Sequence, residues 1–256
     1  MRTLNKFRFL NSNALKFLAG FFMVIDHIGF LFFPNEQLWR IIGRLSMPLF
    51  AFALSEGCRY TRNKTKHFLL LFGLATVCQT VYYLFDGSLY MNILVTFSLA
   101  TLCIYAMQYA KMQIFTHAKW QKQAFSFALF FGAIAFTAFL CNLTQWNKDF
   151  VIDYGFWGCM TPVLASLFDF HRIPAPAPLK KLDCLPLRVL CLGLGLLGIA
   201  ISHLPTTLPF FALGAIVLLL FYNGNKGKWN TKYFFYLFYP LHLALLEGIW
   251  LWLYIW

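Results

Sequence analysis

An all-α fold, a polytopic bundle of membrane-spanning helices, follows from three observations on this sequence. Hydrophobic residues make up 60% of the 256 and charged residues only 12%, against roughly half and a quarter in soluble domains. Apolar runs close to the ~20 residues that a helix needs to cross a bilayer recur along the whole chain. No connection between them exceeds about twenty residues, too few for a soluble domain of its own. The runs define nine expected spans, at roughly 13–33, 38–58, 68–85, 90–110, 124–143, 151–168, 187–204, 206–222 and 233–256, and one integral membrane domain over 1–256.

The first span holds FFMVIDHIGF, with Asp26 and His27 adjacent in an apolar run. Its length and that charged pair exclude a cleaved signal peptide. The loop PNEQLW is short, so the second span is the first one's neighbour; it carries Arg40, Arg44 and Glu56. The third span is near the short end. Asn92 opens the fourth, and Asp153 and Tyr154 open the sixth, which is again short. PAPAP, 174–178, is an extended linker before the seventh span. GLGLLG, 193–198, has the spacing of a dinucleotide-binding loop, but it lies mid-span without the strand that such a loop requires, so close helix packing explains the glycines. The polar turn NGNKGKWN separates the eighth span from the ninth, which carries Tyr239, His242 and Glu247.

The charge distribution gives the orientation. The net charge is +12, and with the N-terminus in the cytoplasm 18 of the 21 Lys and Arg fall at inner ends and loops. They run from Arg2, Lys6, Arg8 and Lys16, through Arg59, Arg62, Lys64 and Lys66, to Lys111, Lys119 and Lys122. The rest are Arg172, Lys180, Lys181 and Arg188, then Lys226, Lys228 and Lys232. The outer loops hold only Lys148. This obeys the positive-inside rule, with the C-terminus outside, and makes nucleic acid an unexpected partner. The seven Cys form no CxxC pair, so neither a disulfide framework nor a metal site is expected.

Arg40 and Arg44 run against the bias. A charge in hydrocarbon costs at least ~2.5 kcal/mol and ordinarily faces a protein interior or a wet cavity. At 1.5 Å per residue, Asp26 and His27 lie roughly 18–20 Å from the inner end of the first span, and Arg44 roughly 9 Å from the outer end of the second. Those depths coincide in a core of about 30 Å. An Asp26–Arg44 ion pair is therefore expected, with exchange of the two charges restoring the fold if the pair is structural. Adjacent helical residues point about 100° apart, which leaves His27 to face a cavity as a general base. His242, Glu247, Asn92 and Asp153 reach comparable depths, while Glu56 marks the inner end. Bland readings stand beside these: His242 bonded to a backbone carbonyl, Asn92 and Asp153 as solvated caps, Glu247 and His203 merely hydrated.

NALKFLAGFFMVIDHIG, WRIIGRLSMPLFAFALSEGCRYT, YMNILVTFSLA and KYFFYLFYPLHLALL together resemble the TraX family of conjugative pilin acetylases, itself akin to the acyltransferase-3 group. The stretches 111–150 and 172–230 carry no matching motif. The resemblance implies transfer of an acetyl group from cytoplasmic acetyl-CoA to an outer-side acceptor, a pilin amino terminus or a sugar hydroxyl, in a bacterial inner membrane. It implies His27 as base, with Asp26, Arg44 and His242 completing the catalytic group. Asn92, Asp153, Tyr239 and Arg40 are then expected near the acceptor, and Arg59, Arg62 and Glu56 near the CoA phosphates. Membrane lipids and acetyl-CoA are the expected partners, with no metal. A proton-coupled transporter or flippase using the same Asp/His/Arg cluster stays open as the alternative, as does a non-catalytic scaffold.

Overall fold

The computed structural model describes residues 8–229 and 231–254; Arg2, Lys6 and the side chain of Lys232 lie outside what is described. It is all-helical, with 75% helix and 2% strand. The helices are α1 (Ser12–Phe32), α2 (Gln37–Gly43), α3 (Ser46–Tyr60), α4 (Lys64–Asp86), α5 (Ile93–Phe115) and α6 (Trp120–Asn142). They continue with α7 (Gly155–Ala165), α8 (Ala177–Leu182), α9 (Leu185–Ser202), α10 (Ala215–Leu220) and α11 (Lys232–Tyr254). Two short strands, β1 (Tyr90–Met91) and β2 (Val151–Ile152), pair in parallel.

Among the described residues seven helices are long and apolar enough to cross a membrane, with α2 and α3 together forming one of them. The expected spans at 151–168 and 206–222 take shorter forms. In the first, Tyr154 and Gly155 sit at φ 60 and 57, so the helix starts only after β2 and lasts 11 residues, or about 17 Å of rise, well short of a 30 Å core. In the second, Pro209 leads a 3₁₀ segment, Leu208–Gly214, before the six residues of α10. The PAPAP linker is also shorter than expected: only 174–176 is extended, and Pro178 falls in the first turn of α8, where a missing N–H costs nothing.

The second span breaks at Arg44–Leu45, between α2 and α3. Pro48 explains the break, since its ring offers no N–H to the carbonyl of Arg44, four residues upstream, and clashes with it. Arg44 thereby becomes the C-cap of α2.

The chain forms two compact units, residues 1–53 with 200–256, and residues 54–199. In the first, α1 packs on α2 and on α11. Any Cβ on Gly43 would overlap Asp26, and any on Gly29 would overlap Trp39, so these glycines let α2 lie close against α1. Asn11 caps α1, accepting from Ala14 N at 2.9 Å. The same end is tied to the loop before α11: Asn13 Nδ2 donates to Trp229 O (2.8 Å) and Thr231 Oγ1 to Asn13 Oδ1 (3.1 Å). In the second unit, α5 is the central helix, packed on α4, α6 and α7 with 61% of its apolar window buried against 17% for α4 and for α6. Two glycines of GLGLLG serve packing, Gly195 against Thr161 and Gly198 against Trp157.

Candidate functional site

The polar cluster of the first unit forms where α1, α2 and α11 meet. Asp26 is held by two guanidiniums: Arg40 Nη1 donates to Oδ2 at 3.0 Å and Arg44 Nη2 to Oδ1 at 3.4 Å. The Asp26–Arg44 pair expected from depth is present, but Arg40 is the nearer partner. Arg40 Nη1 also donates to the Asp26 carbonyl at 3.3 Å, and its guanidinium lies 5.2 Å from the centre of the Phe30 ring. All three side chains are partly buried, at 26%, 14% and 17% exposure for Arg40, Arg44 and Asp26, so two guanidiniums and a carboxylate lie together out of full contact with solvent.

His27 points away from that triad, as the ~100° between successive helical residues requires. Its Nδ1 lies 2.8 Å from the Met23 carbonyl. A carbonyl oxygen can only accept, so in the neutral ring Nδ1 bears the proton and Nε2 the lone pair. His242 on α11 repeats the arrangement, with Nδ1 2.9 Å from Phe238 O. The two imidazoles meet edge to face with centroids 5.1 Å apart. Phe238 stacks on His242 at 5.1 Å, and Gly20 of α1 makes room for the Phe238 ring. Tyr239 is buried, its ring 5.9 Å from that of His242. His242 is only 6% exposed, yet its Nε2 has no hydrogen-bond partner among the described residues. A buried imidazole nitrogen left open in this way is ready to accept from a donor that enters the site. His203 and Glu247 are exposed.

The second unit holds a separate ionic network. Glu56 Oε1 accepts from Arg188 Nη1 at 2.5 Å, with both side chains about nineteen-twentieths buried. Arg188 Nη2 donates to Ser55 Oγ (3.0 Å), its Nε to Ala165 O (3.2 Å), and Ser55 and Ser166 hydroxyls bond at 2.9 Å. Arg188, one of the basic residues at the expected inner ends, is thus a buried partner of Glu56. Arg59 bridges Asp169 (3.1 Å) and Asp183 (2.5 Å), so the guanidinium expected at the CoA phosphates is already held by two carboxylates. Arg62 is exposed. Gln108 Nε2 donates to Asp169 Oδ2 at 3.3 Å, and Lys111 Nζ donates to the carbonyls of Ser166, Leu167 and Asp169.

Asn92 and Asp153 belong to this unit as well. Asn92 N-caps α5, accepting from Leu94 N, and its amide donates to Ala75 O and Gln79 Oε1. Asp153 accepts from the Tyr90 hydroxyl at 2.7 Å, and its backbone N–H extends the β1–β2 pairing to Met91 O. Both side chains thus have structural partners. Sequence reasoning overlooked Asp169 and Asp183. The signal was available: among nine Asp and Glu in the chain, these two stand in basic segments, FDFHR and KKLDC, where a carboxylate calls for a cationic partner.

No solved structure matches the chain. It is 28% identical over 249 residues to a protein of Dichelobacter nodosus named "Probable fimbrial assembly protein FimC, serogroup H1", covering 91% of this chain and 92% of that one. It is 37% identical over 93 residues, 36% of each chain, to the uncharacterized protein RP591 of Rickettsia prowazekii (strain Madrid E). The family model described as TraX protein matches residues 11–250, a span that contains both imidazoles and the whole Asp26 triad, and on that match the chain belongs to the TraX family.

Proposed function

We propose that this chain is an integral membrane acetyltransferase that moves an acetyl group from cytoplasmic acetyl-CoA to a pilin amino terminus or a surface sugar on the outer side, in a bacterial inner membrane. The observation that carries the reading is the facing pair of imidazoles, His27 and His242, each with Nδ1 spent on its own helix backbone. Membership of the TraX family and the fimbrial-assembly relative support it.

Acyl transfer to an N–H or O–H needs a base for that proton and positive charge for the carbonyl oxygen. His27 Nε2 takes the proton as the acceptor's nitrogen or oxygen bonds to the acetyl carbon. The carbon–sulfur bond breaks, and the same proton leaves with the thiol. Arg44 and Arg40, fixed on Asp26, present guanidinium N–H donors to the developing oxyanion, where a partly dry setting makes them count most. His242 Nε2 and the Tyr239 ring orient the acceptor.

The test is purified protein with labelled acetyl-CoA and two acceptors, a peptide with a free amino terminus and an oligosaccharide. His27→Gln is expected to lower transfer 10²–10⁴-fold, the usual worth of general-base catalysis, with unchanged thermal unfolding. Transfer at the wild-type rate removes His27 as base. The transporter reading draws on the buried Glu56–Arg188 pair; dependence on a proton gradient without consumption of acetyl-CoA would favour it instead.

A further inference from the structure

The second unit contains a cavity of about 130 Å³ that the proposed reaction does not use. It lies at the turn between α3 and α4, against the end of α5 and the segment after α7. Its lining includes Cys58, Arg59, Lys64, Gln108, Asp169 and Arg172. The charge is unbalanced. Asp169 is committed to Arg59, and Arg59 is further balanced by Asp183. Among the described residues Lys64 and Arg172 are in no ion pair; with Arg59 they make three cations against the carboxylates of Asp169 and Asp183, a surplus of one positive charge.

Their donors are partly free as well. Arg172 spends one N–H on Thr61 O at 2.8 Å and one on Tyr60 O at 3.0 Å, leaving three of the five that a guanidinium has. The Lys64 ammonium lies 5.4 Å from the centre of the Tyr105 ring, and Lys64 lines the cavity. Several N–H donors on two cations suit a group with several anionic oxygens, which gains from charge-assisted bonds. At about 30 Å³ per water the space holds roughly four waters, room for one phosphate group. It is too small for a whole nucleotide, since pockets for drug-sized ligands start near 300 Å³.

We infer that this cavity is a binding subsite for the phosphate group of a phosphate-bearing ligand, with Lys64 and Arg172 as its ligating cations. Two sources share that chemistry: a soluble phosphorylated cosubstrate and the headgroup of an anionic phospholipid. The first rests on the acetyl-transfer reading, with acetyl-CoA as the cosubstrate; the phosphate site itself does not.

The experiment uses the full chain in nanodiscs of phosphatidylcholine. Wild type, Lys64→Gln and the Lys64→Gln/Arg172→Gln pair are titrated calorimetrically with CoA, and their thermal unfolding is compared with and without phosphatidylglycerol. Lys64→Gln removes an exposed side chain in no ion pair and tests the site even where loss of Arg172 disturbs the fold. CoA binding by wild type, weakened at least tenfold by Lys64→Gln, supports the site with a soluble ligand. Stabilisation by phosphatidylglycerol that Lys64→Gln abolishes, with no CoA binding, supports it with a lipid. Wild type that responds to neither probe, or a Lys64→Gln protein that responds as wild type does, overturns it. Binding that depends on Lys64 without any acetyl transfer leaves the subsite standing and sinks the acetyltransferase reading. Transfer with an unchanged KM for acetyl-CoA in Lys64→Gln removes CoA as this subsite's ligand.

Discussion

Asp26 divides its two oxygens between two guanidiniums, and this division changes what a charge exchange does. Moving Asp to position 44 and Arg to position 26 reverses one pair but sets the new cation against Arg40, which lies 3.0 Å from Asp26 in the native protein. The exchanged protein is therefore expected to unfold at a lower temperature than wild type, by about 1–3 kcal/mol of stability; recovery would come only with Arg40 neutralised too. A melting curve in detergent decides between a triad and a simple pair. Glu56 and Arg188 offer a cleaner residue-scale case. Both are almost fully buried, so Glu56→Ala leaves a guanidinium without its counter-charge and is expected to cost about 3–5 kcal/mol. Glu56→Leu combined with Arg188→Met removes both charges and is expected to recover most of that loss. Failure of the double variant to recover, measured by the same melt, would show that the pair, with the Arg188 bonds to Ser55 and Ala165, stabilises the fold beyond mutual compensation of charge.

Helix packing decides how these side chains reach each other. The site depends on the close approach of α2 to α1, which Gly43 permits: an added Cβ would lie 2.6 Å from Asp26 Cα. Gly43→Ala is expected to force the helices apart, with a loss of about 1–3 kcal/mol and at least a tenfold drop in any acetyl transfer, both measured on one purified preparation. The break that Pro48 imposes matters for the same reason, because it ends α2 at the turn that presents Arg40 and Arg44 to Asp26. On α11 the stacked series Phe234, Phe238 and His242, each four residues from the last, sets one face of the helix. That face fixes the His242 ring against His27.

For the whole molecule, the large apolar side chains exposed along α4, α6 and α11 make sense only in lipid, since water-soluble proteins rarely leave such surfaces open. The orientation argued from Lys and Arg placement makes a direct prediction through a native thiol. Among the described cysteines Cys184 is exposed, Cys141 is half-buried, and Cys58, Cys78, Cys103, Cys159 and Cys191 are buried, so the test uses Cys141→Ala protein. Cys184 lies between Lys181 and Arg188, on the expected inner side. A membrane-impermeant maleimide is therefore expected to label it in inverted vesicles and not in intact cells. Labelling from outside would reverse the topology, and with it the side from which acetyl-CoA is drawn.

The sequence by itself determined the membrane class, because hydropathy is a sum over neighbouring residues and needs no tertiary information. It also determined the common depth of Asp26 and Arg44, since a helix's rise per residue is nearly constant, and it carried the motifs that resemble TraX. It over-read 151–168 and 206–222, where the left-handed Tyr154 and Gly155 and the 3₁₀ segment after Pro209 shorten the helices within runs that remain apolar. Only the tertiary structure decided which groups meet: Arg40 joining Arg44 on Asp26, His27 facing His242, Arg188 buried on Glu56, and Arg59 shared between Asp169 and Asp183. Depth along a helix is written in one strand of sequence, but the rotation of one helix against another is set by the packing of distant side chains, and those contacts leave no local trace.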